Sequence, residues 1–88
     1  YGFCNKGEGK DFVKNGRIEV GGELPVNTHG GLLSQAHIEG MLHVTEAVKQ
    51  LRGNEVEPER QVKNAKTGIV SGHGGSLCMH ATLILGAL

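Results

Sequence analysis

The chain has 88 residues, nine basic and nine acidic, with a formal net charge of zero, 38% hydrophobic residues and no Trp. That length holds at most one small domain, and one Tyr with two Phe makes a self-sufficient core thin, because aromatics carry the largest buried areas. No basic stripe or aromatic-rich strand motif supports nucleic-acid binding, and two cysteines are too few for a disulfide scaffold, which points to a reducing cytoplasm.

Tyr1 rather than Met opens the chain, and no basic-then-apolar leader follows it, so a signal peptide is not expected. The simplest expectation is a native chain that begins upstream. Residues 1–23 are rich in glycine and charge and read as a surface excursion. Asn15-Gly16 predicts a turn there between two short extended pieces, Phe12-Val13 and Ile18-Val20. Leu24 to Thr28 reads as extended, and Gly30-Gly31 breaks the chain. From Ser34 to Leu51 the pattern turns helical, with Ile38, Met41, Leu42, Val44, Val48 and Leu51 at spacings of three and four. Glu46 and Lys49 are expected side by side on its exposed face. Arg52 and Gly53 supply a helix stop, so 24–53 forms a strand-loop-helix unit. Residues 54–65, with Pro58, read as a loop. Residues 66–88 read as a β-hairpin: a strand from Lys66 to Ser71, a tight turn at Gly72-His73-Gly74-Gly75, and a strand from Leu77 to Leu85. In the second strand Leu77, Met79, Ala81, Leu83 and Leu85 alternate onto one face. The apolar end, Leu83 to Leu88, is far too short to span a bilayer, so no membrane partner is expected.

Two glycine-flanked histidines could carry chemistry. His37 is expected at the start of the helix, where the positive end of the dipole disfavours imidazolium. A neutral imidazole there is ready to accept a proton. Spacing alone favours an incidental N-terminal histidine. His73 is expected in the glycine turn, where exposed backbone N–H groups can stabilise an oxyanion; an ordinary turn with a solvated histidine is the alternative. Asn27 and His29 precede the glycine pair and either line the same cavity or cap the turn. Gly31 is grouped with them as a lining residue. His43 reads as structural or exposed. Cys78-Met79-His80 lacks metal-ligand spacing, so no metal is expected. Gly7-Glu8-Gly9-Lys10-Asp11 fails as a phosphate loop, because Cys4 stands at the required glycine and Asp11 at the Ser/Thr.

The order of motifs resembles the thiolase superfamily. Gly2-Phe3-Cys4-Asn5-Lys6-Gly7-Glu8-Gly9, then Gly22 to Thr28, is similar to the opening run of the sterol-carrier-type and lipid-transfer-type thiolases. Leu24 through Gly40 resembles that family's Asn-x-x-Gly-Gly…Gly-His-Pro-x-Gly segment. The resemblance covers nearly the whole chain. It implies an α/β fold of α-β-α-β-α layers in two similar halves, of which this chain is the C-terminal part. It places His37 where the family histidine activates a nucleophilic cysteine. Gly72 stands where the family has an acid/base cysteine, so His73 is the candidate to take over that role. Gly74 matches the glycine whose N–H lines the second oxyanion hole. The departures are Ile38 for the family's Pro and Ala36 for its Gly. The nucleophilic cysteine belongs to the first half of the fold, and Cys4 is expected in packing.

What the resemblance implies about activity is a Claisen-type acyltransferase acting on 3-oxoacyl-CoA, with a coenzyme A thioester as substrate and no cofactor. A thiolase-fold aldolase, as in steroid side-chain degradation, is the alternative, although such relatives often place Tyr at the position of His37. A non-catalytic lipid or acyl-CoA binding module is the third. The implied partners are the remainder of the thiolase fold, a second copy in a homodimer, and a small subunit carrying a zinc ribbon and an OB-fold.

Overall fold

A computed structural model of the chain describes residues 1–88. Helix α1 (Gly9–Phe12) is followed by a 3₁₀ turn (Leu32–Ser34), helix α2 (Met41–Arg52), strand β1 (Thr67–Gly74) and strand β2 (Met79–Gly86). The strands pair antiparallel, Thr67 opposite Gly86 through Gly74 opposite Met79, and α2 packs against them. The result is a small α/β unit of one long helix, one hairpin and a glycine-rich excursion that carries the short α1.

Helix α2 is shorter than its hydrophobic pattern. The periodicity predicts a start at Ser34, but Glu39 and Gly40 adopt φ values of 48° and 79°. A left-handed pair cannot continue a right-handed helix, so α2 begins at Met41 with Gly40 as its N-cap. Its end matches the sequence signal: Gly53 takes φ 84° and its N–H caps the Lys49 carbonyl, as a left-handed C-terminal glycine does.

The hairpin turn also moves. Glycines at 72–75 suggest a turn there, yet β1 runs on through Gly74. The reversal falls on Gly75 to Cys78, with positive φ at Ser76 and Leu77 and the Cys78 N–H bonded to the Gly75 carbonyl. Two positive φ values in succession give the twist that hairpins favour. His73 therefore lies in a strand, opposite His80, and not in the turn. In the N-terminal excursion the Asn15-Gly16 turn forms, with φ 60° and 70°. Its flanks are α1 and further turns instead of extended pieces.

The packing is thin. Only three residues are buried, and all are polar: His29, Glu46 and Gln50. No apolar side chain is buried. The radius of gyration is 13.5 Å, against about 12 Å for a compact chain of this length. Gly68 of β1 faces Ala47 and Leu51 of α2. Leu83, Met79 and Ile84 remain 42%, 69% and 68% exposed, so neither face of β2 is covered. Cys4 is exposed and is not a packing residue. No helix is long and apolar enough to cross a membrane.

Glu46 is the second correction on α2. The i,i+3 spacing predicts an exposed partner for Lys49, but Glu46 is 8% exposed and sits at the centre of a polar network. It accepts from Thr28 Oγ1 at 2.7 Å, from Gln50 Nε2 at 2.9 Å and from the Arg60 guanidinium. Gln50 in turn donates to the Arg60 carbonyl and accepts from the Val62 N–H, each at 2.8 Å. Burial alone would raise the Glu46 carboxyl, but the hydrogen bonds from Thr28, Gln50 and Arg60 and the charge of Arg60 outweigh it and lower its pKa. A carboxylate lowered in the fold stabilises it above the ordinary glutamate value and stops doing so as pH falls through the folded one. Glu46→Gln in the complete protein is expected to cost about 1–3 kcal/mol at neutral pH, since it removes a charged acceptor and leaves donors unmatched. The deficit relative to wild type should shrink below the ordinary glutamate range. Denaturant midpoints at neutral and acid pH check both.

Candidate functional site

An open cleft of about 680 Å³ runs between α2, β1 and the segment from Glu23 to His29. Phe3, Asn27, His29, His43, Glu46 and Ser71 are among its lining residues. The Leu24–Thr28 stretch forms no strand and is held by backbone bonds from Leu24 to Arg17 and from Val26 to Ile18. It then bends sharply: Asn27, Gly30 and Gly31 have φ values of 49°, 88° and 78°. Gly31 combines that φ with ψ 179°, a region essentially confined to glycine.

Of the candidate site residues the cleft gathers two read as lining, Asn27 and His29; the lining candidates Gly31 and Gly74 and the catalytic candidates His37 and His73 lie outside its wall. His37 is exposed in coil, four residues before α2 starts. The helix-dipole argument for its neutrality therefore does not apply, because the field falls off within the first turn. His73 is exposed on β1. Strand register puts it on the same side as Ser71, His80 and Thr82, whereas Gly68, Gly72 and Gly74 alternate onto the α2 side.

Two constellations emerge that spacing did not reveal. His29, 8% exposed, bonds through Nε2 to His43 Nδ1 at 2.9 Å. Their rings meet edge to face, centroids 4.9 Å apart. The Gly31 N–H donates to His29 Nδ1 at 3.4 Å. If Nδ1 accepts, the proton of a neutral ring sits on Nε2, which then donates to His43. The pairing depends on α2 starting at Met41, which places His43 in the first turn facing back over the loop. A pattern that starts the helix at Ser34 hides it.

The second constellation lies on the opposite hairpin face. The Tyr1 hydroxyl bonds with Ser71 Oγ, with His80 Nε2 at 2.6 Å and with Thr82 Oγ1 at 2.9 Å. Hydrogen bonds with Ser71 and then Thr82 lower the phenol pKa. Ser71 Oγ also lies 2.8 Å from His80 Nε2. The cluster pins the N-terminal segment to the sheet.

Comparison with known proteins adds what geometry leaves open. Residues 1–87 match the family model described as thiolase C-terminal domain-like. The chain is 54% identical over 72 residues to a 17-hydroxy-3-oxo-4-pregnene-20-carboxyl-CoA lyase of Mycobacterium tuberculosis, covering 77% of this chain and 19% of that protein. It is 49% identical to a steroid side-chain-cleaving aldolase of Thermomonospora curvata, covering 77% and 18%. It is 36% identical over 85 residues to an acetyl-CoA acetyltransferase of Methanothermobacter thermautotrophicus, covering 90% and 22%. The chain thus spans about a fifth of the length of the curated relatives it matches.

Proposed function

The chain belongs to the thiolase superfamily as its C-terminal part, and from that premise we propose that the enzyme carrying it breaks a carbon–carbon bond in a coenzyme A thioester by retro-aldol cleavage. The observation that carries this reading is the gradient of similarity, 54% and 49% to a lyase and an aldolase against 36% to an acetyltransferase. The proposed substrate is a β-hydroxyacyl-CoA on a bulky, steroid-like frame.

In that reaction a base takes the proton of the β-hydroxyl group. The Cα–Cβ bond breaks, its electron pair passes to the thioester as an enolate, and a ketone leaves. N–H donors stabilise the enolate oxygen, and a proton returned to Cα releases the shorter acyl-CoA. His37 is assigned the hydroxyl proton. Gly74, on the α2 side of β1, is assigned to the oxyanion. His73 is assigned the proton returned to Cα, for which its ring must reach round the end of the strand. The rest of the thiolase fold completes the site.

A second reading is Claisen-type thiolysis of a 3-oxoacyl-CoA, the chemistry the motifs suggested first. It is favoured by His at position 37, the residue a thiolase needs to activate a cysteine. The two differ in what they consume. Thiolysis uses free coenzyme A and forms an acyl-enzyme; retro-aldol cleavage does neither. The test is to give the complete enzyme a β-hydroxyacyl-CoA alone and, separately, a 3-oxoacyl-CoA with free coenzyme A. A ketone and a shorter acyl-CoA from the first, without coenzyme A consumption, is expected. Turnover of only the second overturns the retro-aldol reading in favour of thiolysis.

A further inference from the structure

We propose that His43 is a positioning residue, acting through His29 to hold the Asn27–Gly31 loop at the cleft. The inference rests on the functional reading above for what the loop does, and on the geometry alone for how it is held.

The loop is one that needs holding. Asn27, a residue with a Cβ, sits at φ 49°, and Gly30 and Gly31 at φ 88° and 78°. Conformations of this kind persist only where the surroundings over-determine them. Within the loop the Gly30 N–H bonds the Asn27 carbonyl at 2.8 Å, which closes the bend without fixing it to the scaffold. Side-chain attachment comes from α2, while Arg60 reaches the Thr28 carbonyl at 3.5 Å. Thr28 Oγ1 donates to Glu46, and the next residue, His29, bonds His43. His43 and Glu46 are three apart and share one face of the helix. Two consecutive loop side chains are thus tied to neighbouring turns of one rigid element.

The His29 anchor does something the Thr28 anchor does not. With the His29 proton on Nε2 and directed to His43, Nδ1 stays an acceptor for the Gly31 N–H. In that tautomer His43 and the Gly31 N–H hold the two ring nitrogens of His29 together. Asn27, exposed at the mouth of the cleft, is the side chain this arrangement presents to a substrate. A group bound near its reacting position matters to rate more than to affinity, because a misplacement of about 1 Å can cost a hundredfold.

The experiment compares His43→Leu and His43→Asn in the complete enzyme. Leucine fills space but cannot accept from His29. Asparagine offers an amide oxygen close to where the imidazole Nδ1 lies. Amide hydrogen exchange over 27–34, read by mass spectrometry, reports the hold on the loop without needing turnover. His43→Leu is expected to speed exchange at Gly30 and Gly31 about five- to tenfold, the effect of losing one hydrogen bond in a local opening. It should lower kcat by about ten- to a hundredfold with KM changed far less. His43→Asn should restore both. Unchanged exchange in His43→Leu overturns the proposal. So does a His43→Asn variant as damaged as the leucine one, which would make His43 mere packing, or altered exchange with wild-type kcat. If wild-type enzyme cleaves neither substrate class, the functional reading fails while the exchange data still judge the clamp.

Discussion

Replacing His37 by alanine in the complete enzyme lowers carbon–carbon cleavage by at least about a hundredfold, the usual loss when a general acid–base is removed. The expectation does not rest on a helix dipole, since α2 starts only at Met41. It rests on a histidine left exposed in coil, free to meet substrate, and on the role proposed for it above. Initial rates on a β-hydroxyacyl-CoA across the pH range check it. The loss should fall on kcat/KM at every pH where wild type is active, and near-normal rates would remove His37 from the mechanism.

The 88 residues expressed alone give no cooperative melt. Folding must offset roughly 1–2 kcal/mol of backbone entropy for each residue ordered, chiefly by burying apolar surface. Here no apolar side chain is buried. A twelve-residue helix is marginal in water by itself, and so is a lone hairpin. The exposed apolar positions of β2 and of α2, Met41 among them, find no partner within these 88 residues. Circular dichroism against temperature checks this. A sharp transition with a heat-capacity step would show a core that the burial pattern does not contain.

The sequence revealed elements better than their edges. Arg52-Gly53 marks the end of α2 because a left-handed glycine cap is a local signal. Gly40 lies inside the hydrophobic period and stops the helix there through its backbone conformation, which periodicity does not register. The glycines at 72–75 drew the expected turn toward themselves, whereas Ser76 and Leu77 carry the reversal and His73 falls into a strand. The polar interior was harder still. Glu46 finds Thr28 and Arg60, and His29 finds His43, across 14 to 18 residues, and no helical spacing announces partners that far away. The family motif, being a matter of residue order, was legible where the contacts were not.

The most direct test of the central claim is cleavage in deuterium oxide, reading deuterium at the α-carbon of the acyl-CoA product by mass spectrometry. An enolate released by retro-aldol cleavage must take a proton from an acid in exchange with solvent. A single α-deuterium per cleavage event is expected in wild type, with deuterated product forming at least about a hundredfold more slowly in His37→Ala and at least about tenfold more slowly in His73→Ala. Wild-type rates of labelled product from both variants would contradict it.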